Sequence, residues 1–125
     1  MSRFSGARAM SLAVAFQLSL ASSLATAADV PLTPSQEQGK KLFHATCIYC
    51  HGEKVWGTFT LERRMGKDHA LLEKRDDLVG AYVKTVIRAG LGSMPPYRRT
   101  ELSDADIEAI AAYLTRLNPS SKEIS

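Results

Sequence analysis

Apolar residues recur at helical spacing in three separate stretches, and no stretch alternates as a half-buried strand would. The first stretch opens on Thr33-Pro34-Ser35-Gln36, with Thr33 as N-cap, Pro34 at the first helical position and Gln36 closing a capping box. It predicts a helix from about Pro34 towards Cys47, with Gly39, Leu42 and Phe43 on its inner side. The second runs from Leu78 to about Ala89, with Asp77 as expected cap and Gly90 as the stop. Val79, Val83, Val86 and Ile87 form its stripe, with Tyr82 beside it. The third starts at Ser103-Asp104-Ala105-Asp106 and places Ile107, Ile110, Ala111, Leu114 and Leu117 on one face. Asn118-Pro119 is expected to end it. Asp68 is expected to start a short turn through Leu72. These elements predict an all-α domain.

The first residues follow a different grammar. Arg3 and Arg8 precede an apolar run from Leu12 to Leu24, and Ala25-Thr26-Ala27 follows as a small-residue cleavage site. That order predicts a secretory signal peptide over residues 1–27 and an exported, periplasmic domain over 28–125. The run is shorter than the roughly 20 residues a membrane-spanning helix needs, and no second one follows. Losing the leader removes two arginines and no acids, so the net charge falls from +3 to +1. The remaining cations are interleaved with acids, which gives no case for nucleic-acid binding.

An oxidising compartment changes the meaning of Cys47-Ile48-Tyr49-Cys50-His51, which holds the chain's 2 cysteines. A disulfide, a thioredoxin-like redox pair and a zinc site are the simpler readings. So short a disulfide loop constrains the unfolded chain little. A thioredoxin-like motif wants a preceding strand, and the residues before Cys47 read as helical. A structural zinc site usually draws on two separated clusters, and no second cysteine pair exists here. The pattern C-x-x-C-H accounts for all three residues as a covalent attachment site for haem c. Two thiols three residues apart reach two carbons on one porphyrin edge, and the next residue, His51, rises beneath the iron. The other ring nitrogen of such a histidine usually donates to a carbonyl, fixing the ring.

The iron's second face needs its own ligand, and Met65, Met94, His44 and His69 are the candidates. Met94 lies in Gly90-Leu91-Gly92-Ser93-Met94-Pro95-Pro96-Tyr97, a stiff loop by composition. It is the expected second axial ligand, and a His/Met pair raises the reduction potential. Arg98 and Arg99 follow that loop closely and are candidates for partner docking, although a solvated basic pair is an equally ordinary reading. With both axial positions filled the chain performs no bond chemistry and carries electrons.

CIYCH after an N-terminal helix, the SMPPY loop and a last helix carrying Tyr113-Leu114 resemble a class I c-type cytochrome over residues 34 to 117. The resemblance implies a small monohaem fold with helices wrapped around a covalently attached haem. It implies that Gly39 and Phe43 on the first helix meet Tyr113 on the last. Many members have a Gly-Pro-Leu segment whose carbonyl accepts the haem histidine's proton. Residues 52–93 contain no proline here, and Val55-Trp56-Gly57-Thr58-Phe59 occupies the comparable region, so no acceptor is assigned. Trp56 is expected to line the pocket or reach a haem propionate through its N–H, or else to pack in the core. Residues 72–114 further resemble the cytochrome subunits of flavocytochrome 4-alkylphenol oxidoreductases. That likeness implies an FAD flavoprotein dehydrogenase as electron donor and a downstream redox acceptor. A freely diffusing monohaem carrier is the alternative. A ligand-binding or peroxidase-like haem protein is the third reading, distinguished by rapid carbon monoxide binding.

Overall fold

Helical structure begins where the chain supplies its own cap. The computed structural model describes residues 31–120, so the leader expected over residues 1–27 lies outside the described residues. The Gln36 N–H donates to the Thr33 hydroxyl at 3.2 Å, and the Thr33 N–H donates to the Gln36 side chain at 3.0 Å. This reciprocal box starts α1, Pro34–Leu42, with proline in its first turn. The helical path continues through a π turn, Phe43–Cys47, into α2, Ile48–His51. Next come α3, Trp56–Met65, two 3-10 turns at Lys67–His69 and Leu72–Lys74, α4, Gly80–Ala89, and α5, Asp104–Leu114. Among the described residues the only extended pairing is an isolated bridge between Leu91 and Met94. The all-α expectation holds.

The core forms where α1 crosses α5. A Cβ on Gly39 would lie 1.9 Å from the Ala109 carbonyl oxygen and 2.9 Å from the Tyr113 Cβ, so only glycine lets the two backbones approach this closely. One turn on, the Phe43 and Tyr113 rings meet at 6.1 Å between centroids, as the family resemblance implied. Phe43 and Ile110 are fully buried, and Leu78, Val83, Ile87, Leu102, Ile107 and Leu114 complete the cluster. Each such side chain contributes roughly 1.5–3 kcal/mol through burial. The second capping box is also formed: the Asp106 N–H donates to the Ser103 hydroxyl at 3.1 Å, and the Ser103 N–H donates back to Asp106 at 2.9 Å.

Three expectations need correction. Asp77 does not cap α4, which starts at Gly80 behind Val79 without a side-chain cap. Its carboxylate is instead held by both arms of the Arg75 guanidinium, at 2.7 Å each. A bidentate charged pair outcompetes a neutral N–H for one carboxylate. Val79, expected on the apolar stripe, is 54% exposed, while Val83 and Ile87 are buried. Leu117 lies beyond the end of α5 and is 46% exposed, because the helix closes at Thr115, whose hydroxyl donates to the Ala111 carbonyl. The hydroxyl bond and the turn after it remove Leu117 from the face that Ile110 and Leu114 share.

The pattern of apolar residues did not announce α3 at all. Only Thr58 is buried along it, and Trp56, Phe59 and Met65 are 67%, 51% and 44% exposed. A helix without a buried apolar stripe has no periodicity to read. The expected turn from Asp68 is present as the 3-10 turn Lys67–His69, with a second turn at Leu72–Lys74.

Candidate functional site

The π turn is what brings the cysteine segment to the surface of the core. Its last step is a bond from the Ile48 N–H to the Phe43 carbonyl, one residue longer than an α-helical bond. One extra residue rotates everything after it relative to α1, a device common at functional sites. Phe43 stays in the core, Cys47 and Ile48 rest half-buried against it, and Tyr49 and Cys50 point outward. Both cysteines are free thiols. Burial, with Cys50 adding to it, pushes the Cys47 thiol up to about 11. Burial lowers the His51 pKa, which favours the neutral imidazole that binds metals. The His51 Nδ1 is buried and has no hydrogen-bond partner among the described residues.

The segment after His51 is clasped from two sides. Thr58, buried in α3, donates its hydroxyl to the Gly52 carbonyl at 2.6 Å. A Cβ on Gly57 would lie 2.2 Å from the Cys50 carbonyl oxygen, so α3 presses directly on the cysteine backbone. Trp56 stands exposed at the head of the same helix and is not a core residue.

The methionine loop is built as tightly. The Leu91 N–H donates to the Met94 carbonyl and the Met94 N–H to the Leu91 carbonyl, both at 3.0 Å. Gly90 and Gly92 take positive φ of 73° and 59° to close the turn. A Cβ on Gly90 would stand 2.7 Å from the Met94 carbonyl oxygen. The Tyr97 N–H donates to the Ile87 carbonyl at 2.9 Å, tying the loop's end to α4. Met94 and Tyr97 are half-buried and pack against the core cluster that also receives Cys47. Burial raises the Tyr97 pKa, and both thiols raise it further, so the phenol lies within electrostatic reach of Cys47 and Cys50. The loop and the cysteine segment thus rest on one core cluster, although Met94 lies 44 positions after Cys50 in the sequence.

The other candidates for the second axial position have different partners. His44 pairs with Glu73 at 2.7 Å, and His69 stands 3.6 Å from Asp77. The Met65 sulfur accepts from the Arg75 guanidinium at 3.8 Å. Arg98 and Arg99 are exposed; Arg99 pairs with Asp104 at 2.9 Å, and the Arg98 backbone N–H donates to Glu101 at 2.8 Å. Exposed pairs of this kind add little stability. Among the described residues no three His, Cys, Asp or Glu side chains converge as a site for one metal ion.

This donor set fits haem: two free thiols on one helical stretch, an imidazole whose neutral form burial favours, and a thioether on a stiff loop packed against the same core cluster as Cys47. The family model described as cytochrome c oxidase, cbb3-type, subunit III matches residues 34–114. The chain belongs to that family of c-type cytochromes. No curated protein and no solved structure matches it. As a cytochrome it carries covalently attached haem c and serves as an electron carrier. Of the residues that shape this site, Gly57 and Thr58 fall in the segment that replaces the family's Gly-Pro-Leu, but the sequence assigns neither a role. A glycine–threonine pair has no periodicity or motif to mark it, and only the close approach of α3 gives it meaning.

Proposed function

We propose that this cytochrome holds its haem through Cys47 and Cys50, ligates the iron with His51 and Met94, and carries single electrons in the periplasm. The observation that carries this reading is convergence: Cys47, Met94 and Tyr97 rest on one core cluster, and both thiols influence the Tyr97 phenol electrostatically. When bound, the haem supplies a one-electron couple, and a His/Met ligand pair sets it high. The chain does the rest. Cys47 and Cys50 fix the porphyrin edge, the Gly90–Tyr97 turn presents the Met94 sulfur, and Phe43 and the α5 face keep water from the interior. With His51 and Met94 both engaged, the haem group would have no position left for a substrate, which separates this reading from a ligand-binding or peroxidase-like haem protein.

The donor in this reading is an FAD flavoprotein dehydrogenase acting on 4-alkylphenols, and a further redox protein accepts the electron. Support comes from the likeness of residues 72–114 to the cytochrome subunits of such flavocytochromes. Arg98 and Arg99, exposed just after the methionine loop, orient the partner. The family's description names an oxidase subunit, so residence in a terminal oxidase is the competing assembly, and free diffusion is the other. Gentle purification from the native periplasm, followed by an absorption spectrum, separates them. Flavin co-eluting with reducible haem, and haem reduction on adding 4-alkylphenols, is the expected result. Haem alone in a small monomer would replace the flavoprotein with a diffusible role, and co-elution with an oxidase would replace it with that assembly.

A further inference from the structure

We infer that Thr58 is a positioning residue for the proximal imidazole, acting through the Gly52 carbonyl. The inference rests on the reading of His51 as an iron ligand and deepens it. A haem histidine is ordinarily fixed by a hydrogen bond from its second ring nitrogen. Here the His51 Nδ1 is buried and unpartnered among the described residues, so the ring lacks that tether. The ring's placement then depends on the backbone that carries it. That backbone is held on both sides of His51. Cys50 is pressed by Gly57, where any Cβ would come within 2.2 Å of the Cys50 carbonyl oxygen. Gly52 is held by the Thr58 hydroxyl at 2.6 Å, a short bond in a buried position.

Local geometry makes the Thr58 bond the controlling one. The helical path from Pro34 ends at His51, since Gly52 is extended, with φ −78° and ψ −173°. The Gly52 N–H still donates to the Ile48 carbonyl at 2.8 Å, but its own carbonyl has left the helix. A carbonyl buried here without a donor would be unfavourable. Thr58 is the donor, and it comes from α3, which contributes almost nothing else to the interior: Thr58 is that helix's one buried residue. A helix that buries a single hydroxyl has its role defined by what that hydroxyl touches. Gly57, its neighbour, sets the approach distance, and Thr58 sets the direction.

The test compares holoprotein carrying Thr58→Val, which keeps the shape and loses the hydroxyl, with Thr58→Ser, which keeps the hydroxyl. Low-spin electron paramagnetic resonance of the ferric form reports ligand orientation, and titration reports the reduction potential. Thr58→Val is expected to split the single low-spin signal into more than one species. It is also expected to change the oxidised-to-reduced equilibrium about threefold, roughly 28 mV for a one-electron couple at 59 mV per decade. Thr58→Ser is expected to restore both. Thr58→Ala serves the same purpose if the valine variant does not retain haem, because it removes the hydroxyl without crowding. Unchanged resonance and potential in the variants lacking the hydroxyl would overturn the inference while leaving His51 as ligand. If His51→Ala itself kept the wild-type low-spin spectrum, the ligand reading would fall and the inference with it.

Discussion

At the residue scale, the same few interactions decide both geometry and pH response. The Arg75 guanidinium holds the Asp77 carboxyl down at about 2, chiefly through its two-armed hydrogen bond. A carboxyl whose folded pKa lies below its unfolded value of about 3.9 stabilises the fold above that value. The contribution disappears as pH falls through about 2. Acid titration of thermal stability should therefore show a loss between about pH 4 and pH 2 that is smaller in Asp77→Asn. Asp77 is 44% exposed as a side chain, so solvent screens the pair and the loss is modest. Gly90 makes a sharper test. Its φ of 73° and the 2.7 Å gap to the Met94 carbonyl leave no room for a side chain. Gly90→Ala should cost about 1–3 kcal/mol in thermal unfolding and lower the reduction potential as the Met94 loop is displaced. An unchanged potential would detach the loop from the iron.

At the element scale, the crossing of α1 and α5 is the most demanding contact in the fold. Gly39→Ala drives a methyl into the Ala109 carbonyl, and carbonyls on a packed helix cannot rotate away. The expected cost is about 3 kcal/mol or more, measured by thermal unfolding of the holoprotein. The residues of this crossing were readable in advance: Thr33, Pro34 and Gln36 as a start, Gly39 and Phe43 as an inner face, Ser103 and Asp106 as a second start. Capping boxes and buried stripes are local, so sequence shows them. The start of α4 is not legible in the sequence, because Asp77 has a nearer, charged claimant in Arg75 and no local pattern says which partner wins. Helix α3 was missed because its apolar residues face outward and its one buried residue is a threonine. Residues 47–51, the proposed haem attachment motif, form a contiguous string and so are legible in the sequence. The approach of Met94 and Tyr97 to it depends on how α4 and α5 pack, which no short stretch encodes.

For the whole molecule, function reduces to a redox centre and a surface. Electron-transfer encounters are small and transient, and charge on the rim governs how often they succeed. Reversing Arg98 and Arg99 together to glutamate should slow reduction by the proposed flavoprotein donor about tenfold at low ionic strength, and the difference should shrink as salt is added. Stopped-flow reduction of the haem at several salt concentrations reads this directly. A rate indifferent to both arginines would place the docking surface elsewhere.

His51 and Met94 are the proposed ligands of one iron, and the electron-carrier role depends on that pairing. It is tested most directly by comparing the holoprotein with Met94→Ala for three properties: reduction potential, the charge-transfer band of a methionine–ferric haem bond, and carbon monoxide binding by the ferrous form. The variant is expected to lose the band, fall in potential and bind carbon monoxide readily. A variant indistinguishable from the wild type in all three would contradict it.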